Sequence, residues 1–390
     1  MSGHPYDSLS LADLKAKPNA KWTHFGPEVL PLWVAEMDFP VADAIKEAID
    51  AQVHSENLGY GLSAGLPGLV EALQARLEGR YGYAVAREDV RLLGSTVQGL
   101  YLAVMAFAGP GDEALLLTPL YPPFRAAVEN TGRVPVQVPL IDGPEGYAID
   151  FDALEAAVTP ATRLLMLCNP HNPVGRVYTE EELTRLAQLA LEHNLWIVSD
   201  ELHADLCFAG RHRPIATLAP EVAARTLTLY GPTKSFNIPG LKLSFAISAN
   251  PAMLERLAYH ARGVAPGPNV LAQAATIGAY TGGGSWFDDT LGYLAGNRDH
   301  VRERVAREMP AVRLHAPQGT YLAWLDFRDA GLGDDPAGAL VERARVGLNG
   351  GSAFGVGGDG FARLNFATSR PILDEALTRI AASLPPGAGR

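Results

Sequence analysis

The chain has 390 residues, of which 47% are hydrophobic, and it carries a formal net charge of −11. This length allows a large core, arranged as two domains or as one large domain with a smaller satellite. An acidic, evenly mixed surface argues against nucleic acid or an anionic membrane as a partner. The two cysteines, Cys168 and Cys207, form neither a disulfide framework nor a metal-ligand pattern, which suits the reducing cytoplasm.

The first 40 residues show no clear periodicity and predict irregular structure. The start lacks the basic and apolar regions of a signal peptide, and no apolar run approaches the roughly 18 residues of a membrane span. We therefore expect a cytoplasmic protein. Residues 30–40 (Leu-Pro-Leu-Trp-Val-Ala-Glu-Met-Asp-Phe-Pro) are unusually apolar for a loop, which predicts that this segment packs against the rest of the chain.

Helical patterns at 40–53 and 67–81 flank a turn at 57–61, and short apolar strands then alternate with helices. The predicted strands are 90–94, 114–118, 134–139, 164–168, 195–199, 226–230 and 243–248. The predicted helices between them include 97–108, 151–158 and 180–193. This alternation indicates parallel βαβ units and therefore an α/β fold.

The pattern changes after about residue 280. A long helix at 286–308 precedes strands at 312–314 and 321–327, a helix at 336–345, a strand at 363–366 and a helix at 373–384. We therefore predict three regions. Residues 1–45 join a small α+β domain at 283–390, and residues 46–282 form a large α/β domain.

Polar side chains follow several of the predicted strands directly. In open α/β sheets, ligands bind outside the carboxyl ends of the strands, so side chains at these ends converge on one edge. This pattern predicts a shared site. Its candidate residues are Ser95, Thr96, Tyr121, Asn169, Asn172, Asp200, His203 and Lys234.

The turn after strand 226–230 carries the first of two lysines, Lys234 and Lys242. A lysine at the end of a buried strand has little water around it, which disfavours the ammonium and lowers the pKa of the amine. Such an amine is a nucleophile suited to attack an aldehyde. The alternative interpretation of this stretch alone is a surface turn with two solvated lysines.

Three motifs carry a resemblance to a known family: Asn-Pro-His-Asn-Pro-Val-Gly at 169–175, Ser-Asp-Glu-Leu-His at 199–203 and Thr-Lys-Ser-Phe-Asn-Ile-Pro-Gly-Leu at 233–241. In this order and spacing, the chain resembles pyridoxal-phosphate enzymes of the aspartate aminotransferase superfamily (class I/II, fold type I) over nearly its whole length. The resemblance implies a mostly parallel seven-stranded sheet between helices, a smaller α+β domain, and pyridoxal 5′-phosphate as the cofactor.

The resemblance also assigns roles around the cofactor ring. Lys234 would attach to the cofactor aldehyde and later move the proton at the substrate Cα. Asp200 would pair with the pyridinium nitrogen and keep the ring an electron sink. Asn172 would donate to the phenolate oxygen, and Tyr121 would stack on the ring. The residues alone leave other interpretations open: a helix cap for Asp200, a turn for Asn172 and a core tyrosine for Tyr121.

Five further residues would contact the cofactor phosphate. Ser95 and Thr96 lie at a helix start, where backbone N–H groups and the helix dipole favour an anion; a plain N-cap is the alternative. Thr233 would add a hydroxyl, and Lys242 stands where aminotransferases have an arginine. Tyr60 resembles a tyrosine that reaches the other subunit's phosphate, which implies a homodimer with active sites at the interface. Its alternative role is packing of the turn.

Arg363 matches the arginine that binds the substrate α-carboxylate in this family. Its planar guanidinium can donate two hydrogen bonds to a carboxylate. Asn172 would also contact the substrate. The alternative interpretation of Arg363 is a surface arginine on a strand. Asn169 and His203 would lie behind the contacting residues. No spacing of histidines predicts a metal site.

Two stretches point to one branch of the superfamily. Residues 32–40 and Phe-Asn-Ile-Pro-Gly at 236–240 resemble the cystathionine β-lyase (cysteine-S-conjugate β-lyase) branch, which includes a lyase that modulates the maltose regulon; Glu36 stands where the branch more often has Asp. The resemblance implies α,β-elimination of L-cystathionine or related cysteine S-conjugates to pyruvate, ammonia and a thiol.

Two alternatives remain open at this point. An aminotransferase, which passes the amino group to a 2-oxo acid, uses the same residues, and the choice depends on pocket geometry. A regulatory binding protein could keep the fold and use its surface. The amino terminus shows no DNA-binding helix pair or basic stripe, which argues against a fused regulator.

Overall fold

The computed structural model describes residues 4–61, 64–208 and 210–385. The amino-terminal segment contains α1 (Leu11–Lys15), α2 (Ala20–Thr23) and the short strand β1 (Leu30–Pro31). The prediction of irregular structure throughout the first 40 residues is therefore wrong for these stretches. Ser10 and Asn19 cap the two helices by accepting hydrogen bonds from backbone N–H groups, which stabilises such short helices.

The central part of the chain follows the predicted alternation of strands and helices. In chain order its elements are α3 (Asp43–His54), α4 (Leu69–Tyr81), β2 (Val90–Leu93), α5 (Thr96–Phe107), β3 (Glu113–Thr118), α6 (Pro123–Glu129), β4 (Val134–Pro139), β5 (Ile141–Gly143), β6 (Gly146–Ala148), α7 (Phe151–Ala156), β7 (Thr162–Cys168), α8 (Glu180–Glu192), β8 (Trp196–Asp200), α9 (Pro220–Ala223), β9 (Thr226–Tyr230), β10 (Ser244–Ile247), α10 (Pro251–Ala261) and α11 (Val270–Gly282).

Seven of these strands form one sheet in the order β2-β10-β9-β8-β7-β3-β4. Only β10 runs antiparallel to its neighbours, β2 and β9. The observed sheet confirms the predicted α/β fold with a mostly parallel seven-stranded sheet. Strands β3, β7, β8 and β9 are buried almost throughout, as expected for strands covered by helices on both faces.

The carboxyl-terminal part contains α12 (Gly284–Glu308), β11 (Arg313–Leu314), β12 (Leu322–Asp326), α13 (Pro336–Ala344), β13 (Val346–Gly347), β14 (Asn349–Gly350), β15 (Phe361–Asn365) and α14 (Arg370–Ser383). Strands β11, β12, β15 and β14 form an antiparallel sheet in that order. Short 3₁₀ helices occur at Pro5–Ser8, Arg87–Asp89, Ile215–Thr217, Pro239–Leu241 and Gly351–Phe354.

The amino-terminal segment contacts the carboxyl-terminal part directly. Strand β1 pairs in parallel with β13, and Leu30, Leu32, Met37 and Phe39 are buried in the core of that part. The apolar stretch 30–40 is thus packed against the chain. The pairing supports the division at 45 and 282, which stays a prediction. No helix in the described part of the chain is long and apolar enough to cross a membrane.

Candidate active site

A cavity of about 500 Å³ lies at the carboxyl ends of the parallel strands. It brings together the side chains that sequence analysis placed at several separate strand ends, together with the lysine turn and β15 of the carboxyl-terminal part. All of the predicted contact residues except Tyr60 line it: Ser95, Thr96, Tyr121, Asn172, Asp200, Thr233, Lys234, Lys242 and Arg363. His203, which was predicted to lie behind them, lines the cavity too. Their individual roles stay predictions.

Lys234 lies on the turn that follows β9. Its Nζ donates a hydrogen bond of 2.6 Å to the backbone carbonyl of Ala35, 199 residues earlier in the chain. Burial, together with the positive charge of Arg363, lowers the pKa of Lys234 to about 8. About a tenth of this amine is therefore uncharged at pH 7 and about half near pH 8, and the uncharged form can act as a nucleophile or a base.

Asp200 ends β8 and is buried, with Oδ1 accepting a 3.0 Å hydrogen bond from the backbone N–H of Leu202. Burial, together with the nearby Glu201 charge, raises the pKa of this carboxyl to about 7. His203 is also buried; burial and the charges of Lys234 and Arg363 lower its pKa to about 3. Asp200 is thus an acid that a cationic partner would ionise, beside a neutral imidazole.

Arg363 is buried on β15 and contacts both sides of the cavity. Its Nη1 donates to Asn172 Oδ1 at 2.9 Å, and its Nη2 donates to the Trp33 carbonyl at 3.0 Å. The guanidinium stands 5.0 Å from the centre of the Phe354 ring. Burial lowers the pKa of Arg363 to about 10 and raises the pKa of Tyr121. Arg363 Nε is buried and has no hydrogen-bond partner among the described residues.

The opposite end of the cavity is the start of α5. Ser95 is the N-cap, and its Oγ accepts a hydrogen bond from the backbone N–H of Gln98 at 3.1 Å. Thr96 Oγ1 donates to Ser244 Oγ at 3.1 Å, which ties the helix start to β10. Lys242 contributes a positive charge from a left-handed backbone position with φ of 55°. This end has the helix dipole, hydroxyls and cation that suit a phosphate group.

Tyr60 does not line this cavity. Its side chain is fully exposed, in a turn that ends next to residues 62 and 63, which lie outside the described part. The alternative of turn packing is therefore wrong, because the ring is not buried against its own turn. Asn169 lies behind the cavity wall, where Oδ1 accepts a hydrogen bond from the backbone N–H of Tyr178.

Sequence analysis missed several residues of the site. Trp33, Val34 and Ala35 line the cavity, as does Asn349 of β14. The unusual apolarity of 30–40 was the available signal, but it predicted burial without indicating what the segment covers. Asn237 was noted only as a branch feature; its amide binds the backbone of Met37 and Phe39.

The residues present fit pyridoxal 5′-phosphate. A partly uncharged lysine amine matches the cofactor aldehyde, the buried Asp200 matches a pyridinium nitrogen, and the α5 start with Lys242 matches the phosphate. Arg363 lines the same cavity, and its guanidinium suits a carboxylate. A cavity with these groups at the strand ends of this fold defines a class of proteins, the fold-type I enzymes that use pyridoxal phosphate.

Comparison with known proteins identifies the family. The sequence profile of aminotransferase class I and II matches residues 27–380. The chain therefore belongs to the aminotransferase class I and II family, which confirms the resemblance described from its motifs.

Individual relatives give a finer comparison. The chain is 36% identical to cystathionine beta-lyase PatB of Bacillus subtilis, over 94% of this chain and 96% of that protein. It is 35% identical to a cystathionine beta-lyase of Corynebacterium glutamicum, over 96% and 99% respectively. The crystal structure of a PLP-bound C-S lyase from Staphylococcus hominis superposes with a TM-score of 0.90 at 30% identity, covering 98% of each chain.

Proposed function

We propose that this protein is a pyridoxal-phosphate-dependent C–S lyase that cleaves L-cystathionine or a related cysteine S-conjugate to pyruvate, ammonia and a thiol. The observation that carries this proposal is the placement of Lys234, whose amine with a pKa of about 8 lies in one cavity with Asp200 and Arg363. The named relatives, which span nearly the whole chain, support the same activity and the same cofactor.

When bound, pyridoxal phosphate supplies an electron sink that stabilises negative charge at the substrate Cα. Lys234 acts as the base that takes the proton from Cα, since its amine is uncharged at a mildly alkaline pH. The electron pair left at Cα then expels sulfur from Cβ, and water completes the conversion to pyruvate and ammonia. Asp200, ionised beside a pyridinium nitrogen, would hold the charge that makes the sink effective.

We infer that Arg363, Asn172 and Tyr121 orient the substrate. Arg363 would bind the α-carboxylate through its guanidinium, which Asn172 already holds in place at 2.9 Å. Tyr121 lies beside this pair and would cover the cofactor ring. A fixed carboxylate directs the Cα–H bond toward the Lys234 amine, which is the orientation that elimination requires.

The test is release of pyruvate from L-cystathionine by cofactor-loaded protein with no 2-oxo acid added. Sustained pyruvate with an equal amount of thiol is the expected result. An aminotransferase would instead turn over once and recover only when a 2-oxo acid is supplied, and that result would reject the lyase. A partner protein captured equally well by Lys234→Ala would demonstrate a regulatory function separate from catalysis.

We also propose that the protein is a cytoplasmic homodimer, with Tyr60 reaching the phosphate end of the partner's cavity. The fully exposed Tyr60 ring supports this proposal, because burying an aromatic side chain in a subunit interface is more favourable than leaving it in water. Sedimentation would measure the oligomeric state. Mixed dimers of Tyr60→Ala and Lys234→Ala chains should regain part of the activity if Tyr60 acts across the interface.

A further inference from the structure

The segment 33–40, here named the strap, is held by an unusual set of contacts. Each of its eight backbone carbonyls accepts a hydrogen bond from a side chain elsewhere in the molecule. The donors, in order along the strap, are Arg363, Asn365, Lys234 with Tyr321, Lys21 with Asn365, Asn237, Lys17, Asn237 and Trp286. Little of the strap pairs as a strand or helix, so these side chains determine where its backbone lies.

Asn237 makes the most complete of these contacts. Its Oδ1 accepts from the Met37 N–H at 2.9 Å, and its Nδ2 donates to the carbonyls of Met37 at 3.1 Å and Phe39 at 2.9 Å. The amide therefore pairs with the strap as a neighbouring strand would. Asn237 has φ of 55°, a left-handed conformation that asparagine tolerates better than most residues.

The same turn carries Lys234, three residues before Asn237. The two residues contact the strap side by side: Lys234 Nζ binds the Ala35 carbonyl at 2.6 Å, and Asn237 binds the strap at Met37 and Phe39. Tyr321 OH donates a second hydrogen bond to the same Ala35 carbonyl at 3.0 Å. The strap thus contacts the lysine amine and presents one acceptor to it.

We propose that Asn237 is a positioning residue for Lys234: by clamping the strap, it places the Ala35 carbonyl that orients the lysine amine and keeps water from it. Glu36, also on the strap, faces the same region, since its charge acts on both Lys234 and Tyr321. The proposal rests on the proposed function only for the role of Lys234 in turnover. The clamp itself can be measured in protein without substrate.

The experiment follows covalent attachment of pyridoxal phosphate to Lys234 in apoprotein, fixed by cyanoborohydride reduction and located by peptide mass, as a function of pH. Only the uncharged amine attacks the aldehyde, so the rate reports the pKa of Lys234. The wild type should show a midpoint near 8. In Asn237→Gly, which tolerates the left-handed backbone, release of the strap admits water and should raise the midpoint by roughly one unit.

Two control variants separate this effect from general loosening. Asn194→Gly also replaces an exposed asparagine with φ of 57°, far from the strap. Asn297→Ala removes a buried amide that makes three hydrogen bonds, to the carbonyls of Phe366 and Thr368 and to Arg370 Nε. Both controls should keep the wild-type midpoint. An unchanged midpoint in Asn237→Gly, or an equal shift in all three variants, would overturn the proposal.

A second variant covers the case in which Asn237→Gly does not fold. Tyr321→Phe removes one donor from the Ala35 carbonyl while keeping the buried ring. It should raise the midpoint by a smaller amount; no change would overturn the proposal. If the wild type proves to be a lyase, substrate deuterated at Cα adds a turnover readout. The isotope effect on kcat should grow in Asn237→Gly and stay constant in Asn297→Ala, because a misplaced amine makes proton removal slower.

Discussion

The two walls of the cavity are built in different ways. The strand-end wall consists of residues that directly follow or end strands of the large sheet, such as Thr96, Asn172 and Asp200. The strap wall consists of Trp33, Val34 and Ala35, part of a strap that is held mostly by side chains about 200 to 330 positions away along the chain. Backbone ladders support the first wall, and individual side-chain amides, amines and hydroxyls support the second.

The two walls should therefore differ in how far a single substitution moves their backbone. A strand end keeps its position after most single substitutions, because its neighbours hold it through several backbone hydrogen bonds. The strap depends on side chains that each make one to three bonds, so a single substitution can move it. We expect the strand-end wall to govern cofactor binding and chemistry, and the strap to tune Lys234 and Arg363, which contact both walls.

The largest effect on activity should come from removing the side chain of Lys234, which contacts both walls. Lys234→Ala should lower pyruvate release by about 1,000-fold, since proton transfer by a positioned base contributes on that order. Steady-state assays with L-cystathionine measure it. Lys46→Ala, which removes an exposed ion pair with Asp43, is the control and should retain wild-type turnover. Turnover of Lys234→Ala at the wild-type rate would reject the mechanism.

The next test concerns the strand-end wall alone. The pKa of Asp200 in the folded protein is about 7, above the ordinary value of 3.8 for an aspartate side chain. Its contribution to apoprotein stability is therefore fully present below about pH 4 and lost as pH rises through about 7. Asp200→Asn should unfold with a free energy higher by on the order of 3 kcal/mol at pH 8, and by much less at acidic pH.

Urea denaturation at pH values on either side of 7 measures this difference. Asp334→Asn, on an exposed carboxyl, serves as the matched control and should show no such pH dependence. A stability gain in Asp200→Asn that does not change with pH would contradict the raised pKa. Added pyridoxal phosphate should favour the wild type, because only the carboxylate can pair with a pyridinium nitrogen.

Arg363 contacts residues of both walls, so its substitution tests whether both walls contribute to substrate binding. Arg363→Lys keeps the charge but loses the fork that binds Asn172 and the Trp33 carbonyl. We expect KM for the amino-acid substrate to rise by about 10- to 100-fold, equivalent to about 1.5–3 kcal/mol for a hydrogen bond to a charged group. Arg379→Lys, at a partly exposed ion pair with Glu375, should leave KM unchanged. An unchanged KM in Arg363→Lys would contradict the carboxylate role.

The smallest effect should come from the phosphate end of the strand-end wall. Thr96→Val removes the hydroxyl that donates to Ser244 but keeps the shape of the side chain. The cofactor dissociation constant should rise by roughly fivefold, as expected for one hydrogen bond of about 1 kcal/mol. Equilibrium dialysis measures it, with Thr276→Val as the control because its buried hydroxyl bonds only its own helix. A larger rise in the control would show that the effect is not local.

The sequence predicted the strand-end wall well, because its signals are local. Apolar runs at 114–118, 134–139 and 226–230 correspond to β3, β4 and β9 within a residue. Helices α10 and α11 were not predicted; α11 is buried along most of its length, so it lacks a clear polar face. Tyr60 lies outside the cavity of its own chain, in keeping with the role at the other subunit's phosphate that the resemblance implies and that stays a prediction.

The sequence by itself determined the fold class, the family, the order of the strand ends and therefore which polar residues would meet at one edge. Strand geometry makes this meeting nearly automatic, since consecutive parallel strands end on the same side of a sheet. Only the tertiary structure decided that the segment 33–40 contacts Lys234 and that Asn237 and Asn365 hold it there. Those contacts join residues far apart along the chain through single side chains, and no periodicity records such a contact.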